Sequence, residues 1–201
     1  MMTTLKLFQI RDTEKLQSFS EIYFSCSGLP IPDEYLFNQQ NRVFGIYRNN
    51  EIIGGFILGK GTEYRTLEVF AGDNERRNLY EGLDQKLMPT EICCFWIKRE
   101  YRTKTLANLY VWLCMAYALK RYGTPYFLFG TCSRSLAKLY SSTPKSILIH
   151  TDHIRHKDTF IFWAKRSTCI SGVLEIIRFK LNRVFKISSL NLWVNTNLSF
   201  R

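Results

Sequence analysis

Short runs of β-branched and aromatic residues alternate along this chain with longer stretches in which apolar residues recur at helical spacing. LKLFQI (Leu5–Ile10) predicts a first strand. Asp12 or Thr13 can cap a helix running to about Ser27, with Leu16, Phe19, Ile22 and Tyr23 on one face. GLPIPDEYLFNQQ breaks that helix and restarts a short one, with Pro32 near its start. Arg42–Arg48 and Glu51–Leu58 read as two strands of a hairpin turned at Asn49-Asn50. Gly54-Gly55 inside the second strand points to a bulge or a close backbone approach. Residues 62–90 are ambiguous, with a strand-like TLEVF followed by a helical NERRNLYEGLDQKL and Pro89.

The chain is organised around Glu91 to Gly123. EICCFWI is aromatic and β-branched and suits a buried strand. KREYR is too charged to continue into a core. From Thr103 or Thr105, either of which can cap, a helix with almost no polar face runs to Tyr122 and stops at Gly123. A helix apolar nearly all round must be buried on more than one side. A strand at Pro125–Gly130, a helix at Ser133–Ser141 and strands at Ser146–His150 and Thr159–Ala164 complete the series, the last two joined by polar residues 151–158. The order is therefore α/β throughout. From Val173 the tail, LEIIRFKLNRVFKI, alternates apolar and basic residues. It leaves a further strand, an added helix or an amphipathic membrane-facing segment open.

Composition narrows the class. The 201 residues suit one domain with a short appendage, and 46% hydrophobic content excludes disorder. Leu106–Leu119, the longest nearly apolar run, is too short to span a bilayer, and the N-terminus lacks the long apolar stretch of a secretory signal. The six cysteines include no C-x-x-C pair, so we expect a reduced cytoplasmic protein without disulfide framework or zinc site. Adjacent Cys93 and Cys94 should point to opposite faces of their strand. His150, His153 and His156 recur every third residue but fall in an expected hairpin connection, without a cysteine or Glu beside them. Charge is uneven. Residues 1–97 hold 10 Lys+Arg against 13 Asp+Glu, a net −3, whereas residues 98–201 hold 18 against 4, a net +14. An acidic partner follows: donor phosphates, a carrier protein, a peptide, an anionic membrane or nucleic acid. The lack of Lys/Arg clusters longer than two or three residues argues against nucleic acid.

The basic turn after the buried strand offers amides and cations at a helix start, a ready anion site. Arg102-Thr-Lys-Thr105-Leu-Ala107 resembles the R/Q-x-x-G-x-G/A motif of the GNAT (N-acetyltransferase-like) acyltransferase superfamily. Arg102 and Ala107 fit; Thr105 stands where the family has glycine. Glu91, eleven positions before Arg102, matches the catalytic Glu of several members. Tyr140, in TCSRSLAKLYSS, matches a Tyr that protonates the leaving thiolate, and Ser133 stands at the family's Asn. The resemblance covers roughly residues 5–165.

That resemblance implies a mixed, mostly antiparallel central sheet with helices on both faces and splayed strands at the acyl-donor site. It implies an acyltransferase domain at 1–170, with 171–201 an extension packed on it. Acyl-CoA or CoA would be the co-substrate, or acyl carrier protein the donor, with no metal. The donor would run along Phe95, Ile97 and Lys98 and be held by Arg102, Thr103, Lys104, Thr105, Leu106, Ala107 and Ser133. Glu91 and Tyr140 would handle protons. The acceptor would be a primary amine, with a Lys- or ornithine-type side chain of a peptide among the candidates and a fatty acyl chain among the donors. Peripheral membrane contact stays open. The alternative is a non-catalytic GNAT-fold adaptor or CoA-sensing module, which the Gly-to-Thr change favours.

Overall fold

The computed structural model describes residues 5–61, 64–82, 88–102, 105–142, 145–154 and 156–178. Their strands form one seven-stranded sheet in the order β1-β2-β3-β4-β5-β7-β6. β1 (Leu5–Ile10), β2 (Arg42–Arg48) and β3 (Glu51–Gly59) make an antiparallel meander. Asn49 and Asn50 turn its hairpin at φ 49° and 68°, the left-handed pair that a tight two-residue turn needs. β4 (Thr90–Ile97) is antiparallel to β3, β5 (Tyr126–Thr131) runs parallel to β4, and β6 (Ser146–Ile154) and β7 (Lys157–Lys165) close the sheet as a hairpin.

Helices cover both faces. α1 (Thr13–Ser27) is capped by Asp12, whose side chain accepts from the Lys15 amide at 3.1 Å, and ends at Gly28 with φ 72°. α2 (Asp33–Leu36), α3 (Arg65–Phe70) and α4 (Asp73–Gly82) follow on the same side. α5 (Arg99–Arg102) is one turn, and α6 (Thr105–Tyr122) is the long apolar helix. α7 (Arg134–Ser141) and residues 169–178, here α8, pack on the α6 side. On that side Phe44, Phe56, Ile92, Val111, Leu119 and Phe162 form the core with Val173 and Ile176 of α8. Opposite, Phe19 of α1 meets Val43, Ile57 and Trp96, and Leu67 of α3 meets Leu128 and Ile161. Each such side chain contributes about 1.5–3 kcal/mol by leaving water. Gly55 is the close approach expected in β3: a Cβ there would sit 2.5 Å from Phe19 Cε2 and 2.6 Å from the Phe44 carbonyl. Among the described residues no helix is long and apolar enough to cross a membrane.

Four expectations change. TLEVF is helical, as α3, because a carboxylate from β4 caps its first amides. β6 and β7 extend to Ile154 and from Lys157, so the polar 151–158 segment is mostly strand. His150 and His153 therefore lie on a strand rather than in the connection, and the described residues contain no metal-holding group. Cys93 and Cys94 do not take opposite faces. Cys94 has φ 50°, a bulge that turns both thiols into the α1-side core. The tail is a helix through residue 178, and residues 179–201 lie outside those described.

Candidate functional site

β4 and β5 pair over only three residues, Thr90, Glu91 and Ile92 against Phe127, Leu128 and Phe129. Both strands then continue, β4 to Ile97 and β5 to Thr131, without further pairing. The bulge begins at the same place: Gly55 pairs with Trp96 and Ile57 with Cys93, so β4 carries an extra residue across this step. Backbone groups of β4 beyond Ile92 are thus left without a β5 partner, which a close-packed sheet does not normally permit. The opening leads into a cavity of about 590 Å³. Tyr23, Arg65, Thr66 and Phe70 wall it on the α1/α3 side; Trp112, Met115, Leu119, Tyr140, Val173 and Ile176 wall it on the α6 side. The cavity therefore runs through the sheet rather than lying on it.

Glu91 is completely buried. Its Oε1 accepts from the Tyr35 hydroxyl at 2.5 Å and the Arg65 amide at 3.0 Å; Oε2 accepts from the Thr66 amide and hydroxyl, both at 2.9 Å. Burial raises its pKa above the usual carboxylate value, and these donors pull partly the other way. Gly59 leaves the space: a Cβ there would lie 2.7 Å from Glu91 Cγ and against the Tyr35 hydroxyl. Thr66 both lines the cavity and donates to Glu91, so one hydroxyl separates the carboxylate from the cavity.

Tyr140 lies on the other side, its ring centroid 5.1 Å from Phe129, 5.4 Å from Phe162 and 6.0 Å from Trp112. Burial pushes its hydroxyl pKa up, so it holds its proton across neutral pH. Ser133 caps α7, accepting from the Leu136 amide at 3.4 Å. Further along the chain from Ile92, Phe95 meets Trp112 of α6 in a tilted pair with centroids 5.3 Å apart, and Lys98 pairs with Glu51 at 2.6 Å. The Arg102 Nε donates back to the Ile97 carbonyl at 2.8 Å, tying the basic turn to the end of β4. Ala107 is buried in α6 and Leu106 stands 81% exposed beside it. Thr105 opens α6, while Thr103 and Lys104 lie outside the described residues. Tyr140 thus lines the α6 side of the cavity, Glu91 stands behind Thr66 on the α3 side, and the basic turn stands at the far end of β4.

Three residues escaped the sequence reading: Arg65 and Thr66 in the cavity wall, and Tyr35 against Glu91. Arg65 is only 6% exposed; its guanidinium donates to the Pro30 carbonyl and lies beside the Cys94 thiol. Tyr64-Arg65 precedes what looked like a strand, and nothing local marks a buried cation.

No protein-family model matches the chain, and no curated protein matches it. Solved structures do. FeeM, an N-acyl amino acid synthase from uncultured soil microbes, superposes with a TM-score of 0.62 at 13% identity, over 89% of this chain and 99% of FeeM. The ribosomal-protein-S18-alanine N-acetyltransferase of Escherichia coli gives 0.55 at 10% identity, over 81% and 94%. Arabidopsis thaliana Naa50, solved with the bisubstrate analogue CoA-Ac-MVNAL, gives 0.55 at 10% identity, over 79% and 97%. At such identities the likeness is one of fold. With a strand order in which β4 and β5 form a parallel pair that opens after three residues, these superpositions show that the chain has the fold of the GNAT acyltransferases.

Proposed function

We propose that the protein is an N-acyltransferase that moves an acyl group from a thioester, acyl-CoA or acyl carrier protein, to a primary amine. The observation that carries this reading is the cavity through the β4–β5 opening, with an acid behind one wall and a tyrosine in the other. The thioester would lie along the unpaired edge of β4 at Phe95–Lys98, its carbonyl oxygen receiving a backbone N–H near the Cys94 bulge. The amine enters from the α3 side and passes a proton through the Thr66 hydroxyl to Glu91. The neutral nitrogen adds to the carbonyl carbon, the C–S bond breaks, the thiolate takes a proton from Tyr140, and the second proton shed by the nitrogen as it becomes an amide restores the Tyr140 hydroxyl. Amide and thiol leave; no covalent enzyme intermediate forms.

On this reading the basic turn, Arg102 to Ala107, and Ser133 at the N-cap of α7 receive the donor's phosphate groups. Thr105 in the glycine position favours a carrier-protein phosphopantetheine, which has no adenosine diphosphate to place. The apolar wall of Trp112, Met115, Leu119, Val173 and Ile176 supports a fatty acyl group lying between α6 and α8. The test is thiol release, followed with a thiol reagent, from acetyl-, octanoyl- and palmitoyl-CoA and from acyl carrier protein, with and without amine, and mass spectrometry of the amide. Amine-dependent release that rises with chain length supports the reading. Absence of any amide product overturns it.

A further inference from the structure

A buried cation in the wall of a substrate cavity needs an anion. We propose that Arg65 receives the carboxylate of the acceptor, which makes that acceptor a free amino acid; this rests on the N-acyltransfer reading. Arg65 is only 6% exposed and lines the cavity. Its partners among the described residues are a backbone carbonyl, of Pro30, and the Cys94 thiol, and no carboxylate pairs with it. Removing a guanidinium from water without a counter-charge costs several kcal/mol. A neutral carbonyl offsets part of that cost, and an arriving anion offsets the rest. Five fixed donors suit the planar, two-oxygen geometry of a carboxylate.

The neighbouring residue fixes where the amine must be. Thr66 follows Arg65 in sequence, lines the same cavity and hands its proton donor to Glu91. One residue therefore offers a carboxylate site and the next a proton path from an amine. An α-amino acid carries its amine and carboxylate on one carbon, matching that adjacency. The side-chain amine of a peptide lysine has no carboxylate within such reach. The donor's phosphates are not the anion in question. They belong with the basic turn beyond the far end of β4, whereas Arg65 sits on the α1/α3 side beside the bulge.

The experiment compares, with the best donor found above, three acceptors that differ only at the carboxylate, leucine, leucinamide and isopentylamine, and adds Nα-acetyl-lysine amide as a stand-in for a peptide lysine. Wild type is expected to prefer leucine in kcat/KM by roughly tenfold to hundredfold, the value of a charge-assisted hydrogen-bond pair. Arg65→Gln should bring the ratio of kcat/KM for leucine over isopentylamine close to one by raising the KM for leucine; Arg65→Lys should restore part of the ratio. Because a variant at a buried site can fail to fold, calorimetry on wild type with N-lauroyl-leucine and N-lauroyl-leucinamide gives a second readout, expected to favour the acid at least tenfold. Equal rates and equal affinities for acid and amide, or best turnover of the lysine peptide, overturn the Arg65 assignment and leave N-acyl transfer standing. Failure to acylate any amine overturns both.

Discussion

Glu91 has four donors and is fully buried, and that balance sets how it can act. Burial raises its pKa, while the Arg65 and Thr66 amides and the two hydroxyls favour its ionised form. A base works when deprotonated, so kcat/KM should rise with pH through a value above the ordinary carboxylate range of about 4.3. Glu91→Gln should flatten that limb and lower kcat roughly 10²–10⁴-fold, and Thr66→Val should lower it through the same limb by cutting the relay. Stability gives an independent check of sign. A carboxyl whose folded pKa is raised stabilises the fold below its unfolded pKa and loses that contribution as pH rises through the folded value. Urea unfolding should therefore show wild type losing stability relative to Glu91→Gln across that window. A full-rate, pH-independent Glu91→Gln would remove the carboxylate from the chemistry. Glu91 was legible because a motif spacing marks it. Thr66 and Arg65 were not, because their importance comes from a carboxylate 25 or 26 residues further along the chain.

Elements were read best where pattern and partner agree. β1 to β3, α1 and α6 carry their own period, α1 its own caps as well, and the structure keeps their boundaries almost unchanged. TLEVF has the composition of a strand, but the buried Leu67 and the Glu91 cap turn it into α3. The tail shows the reverse case. Its alternating residues allowed strand or helix, and burial of Cys169, Val173 and Ile176 against the α6 side selects helix. That helix forms part of the cavity wall, which yields a prediction about chain length. Val173→Trp and Ile176→Trp put bulk where an acyl tail would lie. Each methylene denied burial is worth about 0.8 kcal/mol, close to fourfold in rate constant. The variants should lose palmitoyl transfer by orders of magnitude, shift their optimum to shorter chains and keep acetyl transfer, read as kcat/KM across the acyl-CoA series. Unchanged palmitoyl transfer in both variants would show that the acyl chain lies elsewhere.

At the scale of the whole molecule, the uneven charge and the through-sheet cavity make one argument. The half of the chain that begins at Lys98 carries a net +14, and it holds the basic turn, α6 and α7, the elements around the donor end of β4. The half that supplies α1 to α4, the acceptor side of the cavity, is slightly acidic. The field should therefore draw an anionic donor to one mouth and leave the acceptor mouth nearly neutral. Surface fields act through encounter and are screened over about 10 Å at 0.1 M salt, so their signature is a salt-dependent KM at constant kcat. Three donors with the same acyl group separate the sources of attraction: acyl-pantetheine has no phosphate, acyl-CoA has several, and acyl carrier protein adds an acidic protein surface. From 50 to 500 mM NaCl, KM should stay flat for acyl-pantetheine, rise for acyl-CoA and rise most for the carrier protein. Replacing exposed Arg99 and Arg102 by Gln should reduce the slope for the two charged donors and leave the pantetheine value alone. Equal salt slopes for all three donors would mean that the basic half serves some other acidic partner.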